Sequence, residues 1–177
     1  ASTLEPTRLY RLIYEKVRSV IPTDAFLISL LTRGGEGLRA VFAVDIIDGQ
    51  PQIVIDREVT PADRPVMSQI VQKREPLLIL RKPEDLADPP LRTFGSAQRS
   101  ASLIFVPMVA GDTVIGLIST QSYTPNAYDS SQADLLHSLA TQAAMAIQNA
   151  RLFDSIRRQR EELQQLSNRI LQAQEQE

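Results

Sequence analysis

Ser102-Leu103-Ile104-Phe105-Val106-Pro107-Met108-Val109-Ala110-Gly111-Asp112-Thr113-Val114-Ile115-Gly116-Leu117-Ile118-Ser119-Thr120-Gln121-Ser122 decides the architecture of this chain. Leu103 to Val106 are apolar at successive positions, and Val114-Ile115 and Leu117-Ile118 repeat the pattern beyond Ala110-Gly111-Asp112. A strand with one wet face alternates apolar and polar side chains, whereas a strand apolar on both faces must be covered on both. The break is short enough for a hairpin, and Gly111 can take the turn conformation. The stretch therefore predicts a hairpin in the middle of a sheet, with one layer above it and another below.

The segments on its N-terminal side supply the rest of the sheet. Pro76 opens a strand at Leu77–Leu80, and Pro61 to Lys73 carries the helical set Val66, Ile70 and Val71. Arg81 to Arg99, with Pro83, Pro89 and Pro90, predicts a long connection holding short helical turns around Leu91 and Phe94, the kind of loop that covers ligands. Ala25 to Leu31 and Leu38 to Ile46 are β-rich runs either side of Arg33-Gly34-Gly35-Glu36-Gly37, and Gln52 to Ile55 follows the turn signal Asp48-Gly49. Leu9, Leu12, Ile13, Val17 and Val20 have helical spacing, with Pro6 in a tolerated first-turn position and Pro22 blocking continuation. If this first helix and a helix starting at Asp129 cover one face, Pro61 to Lys73 and Glu84 to Arg99 must cover the other and enclose a pocket.

From Asp129 to Glu177 there is no Gly or Pro, which predicts one long helix. Beyond Arg151 it is too polar for a core. Leu152, Ile156, Gln159, Leu163, Leu166, Ile170 and Ala173 step by alternating fours and threes, a coiled-coil seam broken only by Gln159. Such a stripe can pair with a second helix or fold back on its own domain. At about 1.5 Å per residue the tail outreaches a small domain, which favours pairing. The expected division is a domain over 1–151 and a signalling helix over 152–177. The uncapped end, Gln174-Glu175-Gln176-Glu177, suggests that the natural chain continues.

The chain is 43% hydrophobic and 23% charged, ordinary for a soluble domain, and its formal charge of −2 gives no footprint for nucleic acid or anionic membrane. No apolar run reaches the roughly 18 residues of a membrane helix, and Ala1-Ser2-Thr3-Leu4-Glu5 does not open a signal peptide. Cytoplasm is the default expectation. With no Cys there can be no disulfide, thiolate metal site or cysteine nucleophile.

Val106 to Ile118, followed by Tyr128-Asp129, Leu135-Leu136, Leu139-Ala140, Gln142-Ala143-Ala144, Ala146-Ile147 and Asn149-Ala150-Arg151-Leu152, closely resembles the C-terminal half of GAF domains. Parts of the pattern have physical reasons: Pro107 limits strand pairing, Gly111 permits the turn, and Gly116 is expected to let a helix approach the sheet. The resemblance implies an α/β (α+β) fold, a central antiparallel sheet of about six strands flanked by helices, and a regulatory small-molecule pocket or a dimerisation surface. Leu163 to Glu177 is similar to the segment before the phosphoacceptor helix of bacterial two-component histidine kinases, although the Glu-Leu-His-Asp box is not in this sequence. A phosphatase, a cyclase or a transcriptional regulator stays open as the output.

Residue types narrow the ligand. Covalent bilin and the sulfoxide-reductase chemistry of some GAF domains both need Cys. The cyclic-nucleotide signature is mostly lost, since its places hold Ser122-Tyr123, Tyr128 and Gln132-Ala133. His137, the only imidazole, reads as a surface or packed helical residue rather than a haem ligand. Gly34-Gly35-Glu36-Gly37 lacks the Lys-Ser/Thr of a phosphate loop, and Glu84-Asp85 with Asp88 offers too few oxygens for a hard cation. Asp129 is explained as a helix N-cap with Gln132 at capping-box spacing. No nucleophile, base and orienting group can be assembled, so the chain reads as a regulatory domain without enzyme activity of its own. The expected ligand is small and noncovalent, in an apolar pocket lined by Phe42, Ile70, Phe94 and Phe105, with no cofactor and no metal. Leu152, Ile156, Leu163, Leu166 and Ile170, with the N-terminal helix, are expected to form a homodimer. The alternative is a ligand-free spacer that sets dimer geometry.

Overall fold

The computed structural model describes residues 4–32, 34–35, 37–54, 57–59, 65–86, 96 and 98–175. In chain order the elements are α1 (Leu4–Arg18), β1 (Ala25–Leu31), β2 (Leu38–Ile47), β3 (Gln50–Ile53), β4 (Arg57–Val59), α2 (Pro65–Lys73), β5 (Leu77–Leu80), a 3₁₀ turn (Pro83–Leu86), β6 (Ser102–Ala110), β7 (Thr113–Ser122) and α3 (Ser130–Glu175). Six strands run β3-β2-β1-β7-β6-β5, every neighbouring pair antiparallel. The short β4 shares the outer edge of β2 with β3, β3 along Val44–Ile47 and β4 along Leu38–Ala40. No helix among the described residues is long and apolar enough to cross a membrane.

The β6–β7 hairpin lies inside the sheet, flanked by β5 and β1, and Ser102–Met108 and Val114–Thr120 are continuously buried. Its loop is Gly111-Asp112, with Ala110 paired to Thr113 and Gly111 at φ +61°, the arrangement of a type II′ turn. Asp48-Gly49 closes the β2–β3 hairpin with φ +51° and +76°, the two positive values of a type I′ turn. That turn places β3 at Gln50–Ile53, two residues earlier than the apolar pattern suggests.

The two faces differ in their cover. On one, Tyr10 and Tyr14 of α1 meet Phe26 and Phe42, with ring centroids 5.3–6.5 Å apart. Cross-strand partners share a face, so Ile28, Ile104, Val106 and Ile118 lie on this side too, and all are fully buried. The stripe Ala133, Leu136, Ala140, Ala143 and Ala144 of α3 is likewise buried. α2 packs on β6 and β7 from the other side. A β-bulge separates the two orientations along β2: Ile28 pairs with Phe42 but Ser29 pairs with Ala40, so Val41 is the extra residue.

Hydroxyl contacts close the end of the sheet where β1 starts and β7 ends. Asp24 Oδ2 accepts from Ser122 Oγ (2.9 Å) and Tyr123 N (2.8 Å), and Tyr128 donates to the Pro22 carbonyl (2.6 Å). Helix α3 then starts on the expected capping box: Ser131 N donates to Asp129 Oδ1 (2.7 Å) and Asp129 N donates back to Gln132 Oε1 (2.8 Å). By contact density the chain forms two compact units, Ala1–Met145 and Ala146–Glu177. The second unit is helical through Glu175, and no described residue from Arg151 onward is buried.

Candidate functional site, the sheet face under α2

Strand alternation sends Leu27, Ala43, Leu103, Phe105 and Leu117 to the α2 side, where they cluster with Leu38, Ala40 and Ile70. Val71, Leu31, Leu77 and Ile79 border the cluster. Of the pocket residues expected from sequence, Ile70 and Phe105 thus come together. Phe94 lies outside the described residues. Phe42 faces the opposite side, because the bulge at Val41 reverses the phase of β2 after Ala40. There it lines a surface groove of about 220 Å³ with Arg11, Tyr14, Glu15, Arg18, Val44, Pro51 and Ile53. That volume falls below the roughly 300–1,000 Å³ of typical ligand pockets.

Polar side chains cross the α2 face as well. Ser29, 1% exposed and flanked laterally by Ala40 and Leu117, carries the one buried side-chain oxygen without a partner among the described residues. Ser119 and Gln121 follow along β7, and Tyr123 comes just after its end. Gln121 Nε2 donates to Ser119 Oγ (3.2 Å), and its Oε1 accepts from Ser100 Oγ (2.7 Å). Arg81 Nη1 donates to the Ser100 carbonyl (2.7 Å); burial lowers the pKa of this guanidinium, and nearby Arg99 adds to the effect while Asp85 opposes it.

At the end of this row sits a buried carboxylate. Asp45, 2% exposed, accepts from Ser96 N (2.6 Å), from Ile46 N (2.7 Å) and from the Tyr123 hydroxyl, while Ser96 Oγ lies 2.8 Å from the same hydroxyl. Burial, and then the hydrogen bond to Asp45, push the Tyr123 phenol up to about 12, with Ser96 acting the other way. A buried carboxylate with three donors is satisfied without a counter-cation.

Among the described residues this face offers hydrogen-bond donors and acceptors beside an apolar cluster. Ser29 Oγ has no hydrogen-bond partner among the described residues, and His137 sits half-buried on α3. No group of three or more His, Cys, Asp or Glu side chains gathers among the described residues. Ser29, Asp45, Ser119, Gln121 and Tyr123 were missed from sequence, although a signal existed: Ser29 interrupts an otherwise apolar strand, and Ser119 to Ser122 is a polar run in a strand buried on both faces. The expected pairing residues Leu152, Ile156, Leu163, Leu166 and Ile170 are each at least half exposed.

A family model described as GAF domain matches residues 3–148. The chain is 30% identical over 159 residues to the anaerobic nitric oxide reductase transcription regulator NorR of Aeromonas salmonicida (strain A449), an alignment covering 88% of this chain and 29% of that protein. It therefore spans under a third of that regulator's length. Among solved structures, it is similar to a methyl-accepting chemotaxis protein, residues 122 to 287 (TM-score 0.64, 20% identity, 85% of this chain and 93% of that one). It is also similar to the GAF domain of a two-component sensor histidine kinase from Bacillus halodurans (TM-score 0.61, 16% identity, 87% and 99%).

Proposed function

Because the chain belongs to the GAF domain family, we propose that it is the regulatory input domain of a bacterial signalling protein, cytoplasmic and without enzyme activity of its own. It holds a small ligand noncovalently against the α2 face and relays occupancy through a homodimeric helix. The observation that carries this reading is the mixed chemistry of that face: an apolar cluster under α2, an unpartnered buried Ser29 hydroxyl, and a rim of Ser119, Gln121, Tyr123 and Asp45. A spacer would need only the apolar part, since an unpaired buried hydroxyl costs stability that an alanine there would not. The absence of Cys rules out a thioether-linked ligand, and neither metal nor haem enters the scheme.

The output is a histidine kinase on the strength of Leu163 to Glu177, whose sequence is similar to the approach to a phosphoacceptor helix. A second reading, a transcriptional output, is supported by the 30% identity to a transcription regulator. The domain's role is the same under either.

Native mass spectrometry of protein purified from its own host tests the ligand. The expected spectrum shows an added mass that disappears on denaturation, and a thermal-shift screen should find compounds that raise Tm by mass action. A native mass equal to the sequence mass, together with a flat screen, would establish the spacer instead.

A further inference from the structure

We infer that the outer edge of β5 is an interaction surface, and that its partner is the same edge of a second copy of this chain, paired antiparallel. Arg81 N donates to the Ala101 carbonyl (2.8 Å) and Leu80 stands opposite Ser102, so Leu77 and Ile79 turn their backbone groups to β6. Leu78 and Leu80 turn theirs outward, where no described residue pairs with them. The opposite edge of the sheet is blunted. Val54 N donates to the Ala43 carbonyl, so Pro51 and Ile53 of β3 face out, and Pro51 has no N–H to offer. β5 carries no such guard: Leu77-Leu78-Ile79-Leu80 is aliphatic throughout, none of the four is fully buried, and Leu80 is 43% exposed.

The residues flanking the edge commit it to its own copy. An outward-turned residue can pair only with another outward-turned residue, so a two-fold pair of β5 edges centres on Leu78 or on Ile79. Centred on Leu78, the two Leu78 residues exchange both hydrogen bonds, and each Leu80 N donates to the Pro76 carbonyl of the other copy. Leu77 then stands opposite Ile79, and Glu75 opposite Arg81, at both ends of the pair. Glu75 is exposed, and Arg81 gives Nη1 to the Ser100 carbonyl while its other N–H groups stay available to a carboxylate. Centred on Ile79, the same number of backbone bonds forms, but Arg81 faces Leu77 and Glu75 faces Pro83. Opposite charges directly across a ladder are favourable, so charge selects the first register. Four edge residues bury less than a stable interface needs, which makes the contact one between concentrated or co-localised copies. It uses only residues of the unit Ala1–Met145 and is independent of how the tail of α3 pairs.

Because the chain has no Cys, a single introduced cysteine reports only its own position. In the Leu78-centred pair the two Leu78 Cα atoms lie about 5.5 Å apart, within disulfide reach, whereas the two Leu80 residues are offset by about 13 Å. Under mild oxidation of the full chain, Leu78→Cys should form covalent dimers several-fold more than Leu80→Cys, although Leu80 is the more exposed of the two and random collision would favour it. Adding Glu75→Arg should cut the Leu78→Cys yield several-fold, and adding Arg81→Glu to that pair should restore it. Equal yields at the two positions, or a yield indifferent to Glu75→Arg, would overturn the register. The unmodified chain supplies a second measurement. Raising its concentration from roughly 10 μM to roughly 1 mM, the range over which weak complexes form, should slow hydrogen exchange of the Leu78 and Leu80 amides at least several-fold. Exchange at those two amides that does not change with concentration would overturn the proposal altogether.

Discussion

At the residue scale, Gly116 shows a composition signal whose reason only the structure supplies. A Cβ built there would lie 2.1 Å from the Ser29 carbonyl oxygen and 3.0 Å from Leu30 Cα, backbone atoms of β1 that cannot step aside. The close approach is thus between strands next to the bulge, and not the helix approach expected from sequence. Gly116→Ala should cost roughly 3 kcal/mol or more, or prevent folding, as read by chemical denaturation. Ser29 gives the opposite expectation: Ser29→Ala removes an unpaired buried hydroxyl, so the ligand-free protein should be unchanged or up to about 1 kcal/mol more stable. The same variant should lose the ligand-induced rise in Tm. If Ser29→Ala destabilises the ligand-free domain, the hydroxyl has a partner and its place in the site is withdrawn.

At the element scale, most of the secondary structure was legible because its signals are local. Asp48-Gly49 and Gly111-Asp112 dictate two-residue hairpins through the φ values they tolerate, and Asp129 with Gln132 marks the start of α3 through two short-range hydrogen bonds. β4 was not legible: three residues are too few for any period to emerge, and the strand exists only because the edge of β2 is available. For the tail, the heptad phase is the quantity that carries information. Deleting four residues around Arg158 to Glu161 turns the downstream seam by roughly 40°, while deleting seven keeps it nearly in register. In the full-length protein the four-residue deletion should lock or invert output and the seven-residue deletion should preserve regulation, measured as output activity with and without the signal. Equal activities would make the tail a passive tether.

At the scale of the whole molecule, two phenols, Tyr128 buried and Tyr123 half-buried, tie strand ends to loops and give stability a defined alkaline limit. Tyr123 and Tyr128 are both pushed from 10 to about 12, chiefly by burial. The folded state therefore holds these protons more tightly than the unfolded chain. Their contribution is complete below about pH 10 and is lost as pH rises toward 12. Urea midpoints measured from pH 8 to pH 11 should fall above pH 10, and Tyr128→Phe should flatten that fall. At neutral pH the same variant should cost about 1–2 kcal/mol, because the Pro22 carbonyl loses its donor. At this scale too, sedimentation at tens of micromolar should show a dimer, since the exposed stripe from Leu152 to Ile170 has no cover within one chain. A monomer alone would refute it.

By itself the sequence determined that β6 and β7 lie inside a sheet, that two Gly-containing turns close hairpins, that α3 starts at an N-cap, and that no cysteine chemistry is available. Each follows from residues adjacent along the chain or from composition. Only the tertiary structure decided which side chains share a face. One extra residue at Val41 moves Phe42 away from Ile70 and Phe105 and into the aromatic cluster under α1, and a bulge depends on pairing with another strand. The same holds for Asp45, Ser96 and Tyr123, which are far apart in sequence and meet only because β2 and β7 end at the same edge of the fold.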